Sequence, residues 1–435
     1  MTLALSAAPD LPCGDPQPDI ALAARLFTEL RLRTGVARGI TRASYGLGEQ
    51  IAHDIVRREA RKLGMDCRID AGCNLYMTLR GAGRGPAVMV GSHLDSVPMG
   101  GNFDGAAGVL AGLAVAAGYR AAGVVPPQDL TVVAIRAEES TWFSASYIGS
   151  RAAFGRLAAA EVDGVLRAGD RVALGVAIDA AGGDSAQLRA GVPQIDPAQV
   201  ACFLEPHIEQ GPVLVARDRP VGIVTGIRGS FRYRQAACLG AYAHSGATPR
   251  EVRQDAAMAV ARLAVRLDDA WERLAAQGHD MTVTFGQMTT DPNEAAFSKV
   301  AGRVDFSVDI RSQSHATLDL MRAELRQAVA EVEQRYRVRF DLGRETTSEP
   351  ALMDRQIIAD LAGIAQAQGA GADVMPCGAG HDAAVFAQME VPTGMIFIRN
   401  RNGSHNPDEA MEIEDFAAAA RILSAFCLQE MPPRA

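Results

Sequence analysis

Short apolar runs alternate with longer amphipathic segments over most of the chain. Apolar residues at helical spacing predict helices at 21–27 and 47–63, and a short strand follows at 74–79. Residues 87–90 read as a buried strand, 105–119 as a small-residue helix and 130–135 as another buried strand. Residues 200–204 and 395–398 read as strands of the same kind. Strand and helix alternating in this way predict an α/β domain with a mixed, largely parallel sheet.

The middle of the chain has a different rhythm. Strands are predicted at 221–225, 231–239, 281–288 and 304–310, with long helices at 254–277 and 315–335. Gly278 is placed to end the first of these helices. The pattern predicts an α+β module with a four-stranded sheet, inserted into the α/β domain. The expected division is a catalytic domain at 1–214 and 331–435, interrupted by a lid at 215–330. Residues 158–190, rich in Ala, Gly and Asp, are expected to form peripheral helix and loop.

Composition narrows the class. The 435 residues exceed one ordinary core. Hydrophobic residues make up 48% and charged residues 22%, which argues against disorder. The formal net charge of -8 argues against nucleic acid or an anionic membrane as partner. No apolar stretch is long enough to span a bilayer. Residues 1–13 carry no basic segment of the secretory kind. The seven cysteines are scattered without a CxxC pair, which predicts reduced thiols and a cytoplasmic protein.

Four of the apolar runs lead into metal-ligand residue types. The first reaches Gly91-Ser92-His93-Leu94-Asp95 and the second reaches Glu138-Glu139. The third runs through Glu205-Pro206 to His207, and the fourth continues to Ser404-His405. In open α/β sheets ligands bind beyond the carboxyl ends of the strands. One shared site explains four such deliveries better than four accidents. The glycine-rich segment Gly100-Gly101-Asn102-Phe103-Asp104-Gly105 can swing Asp104 toward His93.

His93, Asp104, Glu139, His207 and His405 form a ligand set suited to zinc or a similar divalent ion. Five ligands exceed one tetrahedral site but suit two ions sharing a carboxylate. Asp95 is placed to accept the other ring N–H of His93 and fix its tautomer. Of the adjacent glutamates, Glu139 is assigned to metal and Glu138 to general base. His53, His279 and His315 read as structural. A dinucleotide-binding reading fails, because Gly100–Gly105 is not GxGxxG and its Asp would repel a pyrophosphate.

These motifs, with His207-Ile208-Glu209-Gln210-Gly211-Pro212, Gly380-His381-Asp382-Ala383 and Gly403-Ser404-His405-Asn406-Pro407, resemble the zinc-dependent amidohydrolases of the hydantoinase/carbamoylase type, in the aminoacylase-like peptidase group. The likeness runs from about residue 20 to residue 430. It implies a phosphorylase/hydrolase-like catalytic domain with a lid/dimerisation domain, and a homodimer formed through the lid. It implies His93 and His207 on one zinc, Glu139 and His405 on the other, and Asp104 bridging. Manganese, cobalt or nickel are the alternatives to zinc.

The resemblance also implies that His244, in Ala243-His244-Ser245-Gly246, steadies an oxyanion in the partner's active site. Gln210 would touch the substrate and Arg311 would clamp its carboxylate, as a planar guanidinium can. The chain departs from the family pattern twice: Ser298 stands where Asn is usual, and Ser140-Thr141-Trp142-Phe143 places Trp142 where a cation is usual. Both changes bear on substrate recognition. The implied activity is hydrolysis of a linear C–N amide in an N-carbamoyl-L-amino acid or related ureido acid. The alternatives are an N-acyl-amino-acid or amino-acid-conjugate deacylase, and an inactive metal-binding scaffold.

Overall fold

The computed structural model describes residues 16–431 and divides into two compact units, 1–225 with 353–435, and 226–352. The first contains eight strands of a nine-stranded mixed sheet, the ninth, Ala351–Leu352, falling within 226–352. The sheet's strands run in the order Asp66–Ile69, Leu75–Leu79, Leu130–Ile135, Ala87–His93, Val200–Ile208, Thr393–Ile398, Val221–Ile227 and Ala351–Leu352, with Asp373–Cys377 also beside Val221–Ile227. The four central strands pair in parallel, and the flanking pairings on both sides are antiparallel.

Parallel strands need cover on both faces, and every residue of Leu130–Ile135, Val200–Ile208 and Thr393–Ile398 is buried. The helix Ala106–Ala122 packs against this centre and is apolar almost all round, as a fully buried helix must be. Its small residues permit a close approach. A Cβ at Gly108 would stand 2.3 Å from the Pro206 carbonyl oxygen. The helices Ile20–Thr34 and Ile413–Cys427 pack beside it in the same core.

The second unit is an antiparallel sheet with two helices. The strands Gly229–Leu239, Arg303–Ser312 and Thr282–Thr290 pair in that order, and Arg339–Asp341 and Glu345–Ser348 both pair with Gly229–Leu239. Burial alternates along Arg303–Ser312, so one face of the sheet carries the core. The helices Ala256–Ala276 and His315–Tyr336 cover it with Leu263, Leu267, Met321 and Leu325. Gly278 takes a left-handed φ of 88° just past the first of them.

Three details differ from the sequence reading. The small sheet has five strands, not four, because Arg339–Asp341 and Glu345–Ser348 are too short and polar to show a pattern. The expected division at 331 falls inside the helix His315–Tyr336, and the unit ends at Leu352. The division at 215 is also early. Val221–Ile227, read as a lid strand, pairs with Thr393–Ile398 in the large sheet.

Residues 158–190 form the expected short helices. No helix among the described residues is long and apolar enough to cross a membrane. Cys67, Cys73, Cys202, Cys238, Cys377 and Cys427 are free thiols, and Cys13 lies outside the described residues.

Candidate active site

The carboxyl ends of the central strands bring the predicted residues together. His93 ends the strand Ala87–His93 and His207 lies near the end of Val200–Ile208. Glu138 and Glu139 follow Leu130–Ile135 after a sharp turn at Ala137, whose φ is 53°. That left-handed turn costs about 1–3 kcal/mol for a residue with a side chain. It is held by buried Glu49, which accepts the Ala137 N–H at 2.9 Å and pairs with Arg136 at 2.9 Å. Gln210 (φ 64°) and His405 (φ 61°) are left-handed too.

Two groups of candidate ligands result, and Asp104 belongs to both. In the first, Asp104 Oδ1 lies 3.4 Å from His93 Nε2 and 3.3 Å from His207 Nε2, and the two nitrogens are 3.5 Å apart. In the second, His405 Nε2 lies 3.6 Å from Asp104 Oδ2 and 3.4 Å from Glu139 Oε1. A tetrahedral ion with bonds of about 2.1 Å separates its ligand atoms by roughly 3.4 Å.

The hydrogen bonds fit the same purpose. His93 Nδ1 faces the Asp95 carbonyl oxygen at 3.1 Å and its carboxylate at 3.2 Å. His207 Nδ1 donates to the Ile208 carbonyl at 2.9 Å, and His207 Nε2 accepts the Gly105 N–H at 3.1 Å. His207 Nε2 therefore carries a lone pair, and His93 Nε2 carries one wherever the ring is not protonated. Asp104 Oδ1 and Glu139 Oε1 are buried without a hydrogen-bond donor. A proton on His93 would answer for one of these contacts; a cation held by each group would answer for all of them.

Electrostatics point the same way. Burial pushes Glu138 well above the usual carboxylate range, opposed by His93 and reinforced by Glu139, Asp382 and Asp95. Burial and then Asp104 push Glu139 up to about 8. Burial works against charge on His93, yet Asp104 and Asp95 hold it well above its ordinary value. Buried carboxylates in this number are costly unless positive charge compensates them.

The remaining predicted residues are placed as follows. Asp95 is fully buried, takes the Ser44 hydroxyl at 2.5 Å, and accepts the N–H groups of Glu138 and Glu139 at 3.2 Å each. Glu138 Oε2 lies 4.0 Å from His93 Nε2. Gln210 donates its amide to Asp104 Oδ2 at 2.8 Å, so it braces the shared carboxylate as well as facing the site. Trp142 donates its indole N–H to the Ser96 carbonyl at 2.7 Å.

In the second unit, Arg311 pairs with Asp309 at 2.8 Å, and Asp309 also meets Arg232 at 3.2 Å. His244 pairs with Lys299 in a two-stranded ribbon, and Ser298 just precedes that strand, its carbonyl accepting the Ser245 N–H at 2.9 Å. His244 Nδ1 accepts from Gly246 and Ala247 at 3.2 and 3.1 Å, which leaves Nε2 as the exposed donor.

Sequence reasoning gave no role to His381, although its motif Gly380–Ala383 was noticed. Its ring lies 4.3 Å from that of His207, and its Nε2 is buried without a partner. Burial and His207 drive its pKa well below the usual histidine value, so it is a neutral group. Beside it Asp382 accepts the Ser150 hydroxyl, and Glu205 accepts Ser92 Oγ and Ala383 N, each at 2.7 Å.

The profile of the peptidase family M20/M25/M40 matches residues 89–429. The chain is 33% identical over 388 residues to an N-carbamoyl-L-amino acid amidohydrolase of Geobacillus stearothermophilus, covering 88% of this chain and 92% of that one. It is 30% identical over 395 residues to the allantoate amidohydrolase of Escherichia coli (strain K12), covering 90% and 93%. The crystal structure of a hydantoinase/carbamoylase family amidase from Burkholderia ambifaria superposes with a TM-score of 0.84 at 31% identity, over 95% of this chain and 98% of that chain. Sequence and fold together establish that the chain belongs to the peptidase family M20/M25/M40, among its hydantoinase/carbamoylase-type amidases.

Proposed function

We propose that this enzyme hydrolyses a linear C–N amide bond in a small N-substituted amino acid, with an N-carbamoyl-L-amino acid or ureido acid as substrate. The observation that carries this reading is the pair of ligand groups sharing Asp104, with Glu138 beside them. The similarity to relatives named for carbamoyl amino acids and for allantoate supports the ureido-type bond. His93, His207 and Asp104 would hold one divalent ion, and Asp104, Glu139 and His405 a second, with zinc the first choice. Such ions, when bound, polarise a carbonyl and acidify water.

The chain's own residues do the rest. Glu138 takes a proton from the attacking water and passes it to the leaving nitrogen. Asp95 keeps His93 in one tautomer and fixes the turn that presents Glu138. Neutral His381 lines the same buried wall. Arg311 would meet the substrate carboxylate once released from Asp309. His244, with its free Nε2–H, would steady the carbonyl oxygen in the site of a partner subunit, in a homodimer formed through the unit 226–352. With a carbamoyl substrate, cleavage yields the amino acid, ammonia and carbon dioxide. The free thiols suit the cytoplasm, where we place the enzyme.

The test is ammonia release from a panel of N-carbamoyl and N-acyl L-amino acids, before and after chelation and with zinc or manganese restored. Metal-dependent ammonia from a carbamoyl substrate supports the reading. Metal-dependent acid release from acyl substrates alone would move the enzyme to the deacylases, a shift that Ser298 and Trp142 could produce. Tight metal uptake without turnover on any substrate would favour a scaffold.

A further inference from the structure

The loop that presents Asp104 has little stiffness of its own, since Gly100, Gly101 and Gly105 flank its short polar stretch. Yet Asp104 must offer one oxygen to each of two ligand groups, a task that tolerates errors of only about 0.5 Å. The stiffness comes from Glu409, far along the chain and outside the candidate ligands. Its Oε1 accepts the Phe103 N–H at 2.8 Å and the Asp104 N–H at 3.3 Å. A Cβ at Gly101 would stand 2.0 Å from the Glu409 carboxyl carbon, so only glycine lets the carboxylate lie against the loop.

Arg42 is built into the same arrangement. It is fully buried, donating from Nε to the Leu94 carbonyl at 2.6 Å and from Nη1 to Asn102 Oδ1 at 3.3 Å. Asn102 in turn donates to the Phe27 carbonyl at 2.9 Å. Arg42 Nη2 and Glu409 Oε2 are both buried without a direct partner. A buried guanidinium next to a loop of acidic function is costly unless it balances a carboxylate. Asn102, Phe103 and Asp104 are thus each tied to a buried polar group.

We propose that Glu409 is a positioning residue for Asp104: it clamps the backbone of the 101–104 loop, with Arg42 as buried counter-charge, and so aims both oxygens of Asp104. The inference rests on the reading of Asp104 as the ligand shared by two ions. Glu409 acts through two backbone amides and touches neither substrate nor ion.

The test compares wild type with Glu409→Ala, Glu409→Gln and Gly101→Ala, the last displacing the Glu409 carboxylate without removing it. Two readouts are taken: hydrogen–deuterium exchange of the 100–105 segment in the chelated protein, and uptake of cobalt(II), followed by its visible spectrum and by competition with a chelator. Glu409→Ala and Gly101→Ala should speed exchange in that segment and weaken cobalt binding roughly 10- to 100-fold. Glu409→Gln keeps an acceptor oxygen for the two amides but removes the charge that balances Arg42, so its exchange and cobalt affinity should fall between those of wild type and Glu409→Ala. Should Glu409→Ala not fold, Gly101→Ala carries the same prediction. Wild-type exchange, affinity and spectrum in Gly101→Ala and Glu409→Ala would overturn this inference alone. A wild-type chain that takes up no cobalt would overturn the two-ion reading itself, whatever the variants do.

Discussion

Asp95 Oδ1 lies 3.2 Å from His93 Nδ1, while the same carboxylate accepts the backbone N–H of both glutamates that follow the neighbouring strand. One fully buried side chain thus orients a candidate ligand and the candidate base together. Asp95→Ala should lower metal affinity by roughly 10- to 100-fold and reduce turnover further even when metal is saturating. Chelator competition and kcat at saturating metal separate the two effects. A variant that recovers full kcat once metal is added back would limit Asp95 to the histidine.

Glu138→Gln should keep the shape of the site and its metal but lose the proton carrier. The expected loss in kcat is about 10²–10⁴-fold, with metal content unchanged by elemental analysis. Retained turnover would refute the assignment of the base. Asp104→Ala differs, because both ligand groups lose a member. It should lose both ions and all metal-dependent activity.

His244 offers a test of the dimer that needs no knowledge of the substrate's side chain. Mix Glu138→Gln chains with His244→Ala chains after dissociation and reassociation. If His244 serves the partner's site, each heterodimer contains one site with both groups intact, and random pairing restores roughly a quarter of wild-type activity. If His244 acts within its own chain, or not at all, the mixture stays no more active than its parents.

His53 carries a stability prediction away from the site. It is buried in the helix Leu47–Lys62, and neither ring nitrogen has a hydrogen-bond partner. Burial drives its pKa well below the histidine norm, with Arg136 and Arg57 adding to the effect. The folded chain keeps it neutral, whereas the unfolded chain binds a proton below about pH 6.5. Its contribution is therefore complete above that pH and is lost as pH falls below it. His53→Leu should raise stability by about 1–3 kcal/mol, since an unsatisfied buried polar group is removed. The gain should grow as pH falls from 7 to 5, read as the difference in Tm between variant and wild type. An unchanged or lower Tm at every pH would mean that the ring is satisfied by buried water.

The sequence alone pointed to the candidate ligand set. His93, Glu139 and His207 follow apolar strands, and a strand carries its end residues to the sheet edge whatever else packs around it. Asp104 was legible for a related reason, because a glycine loop has few other uses beside such an edge. The helices of the middle unit were legible because their apolar spacing is long and regular.

Tertiary structure decided the rest. Val221–Ile227 is apolar enough for either sheet, and only pairing with Thr393–Ile398 assigned it to the large one. Arg339–Asp341 and Glu345–Ser348 carry no pattern of their own and became strands because Gly229–Leu239 offered them an edge. Glu409 meets the amide of Phe103 across a separation of 306 positions, and no local rule links two such residues. Periodicity and motif spacing act over a few residues, while buried polar contacts are fixed by where the packed core brings distant backbone. The chain's own order therefore shows which groups reach the site, and the fold alone shows what holds them there.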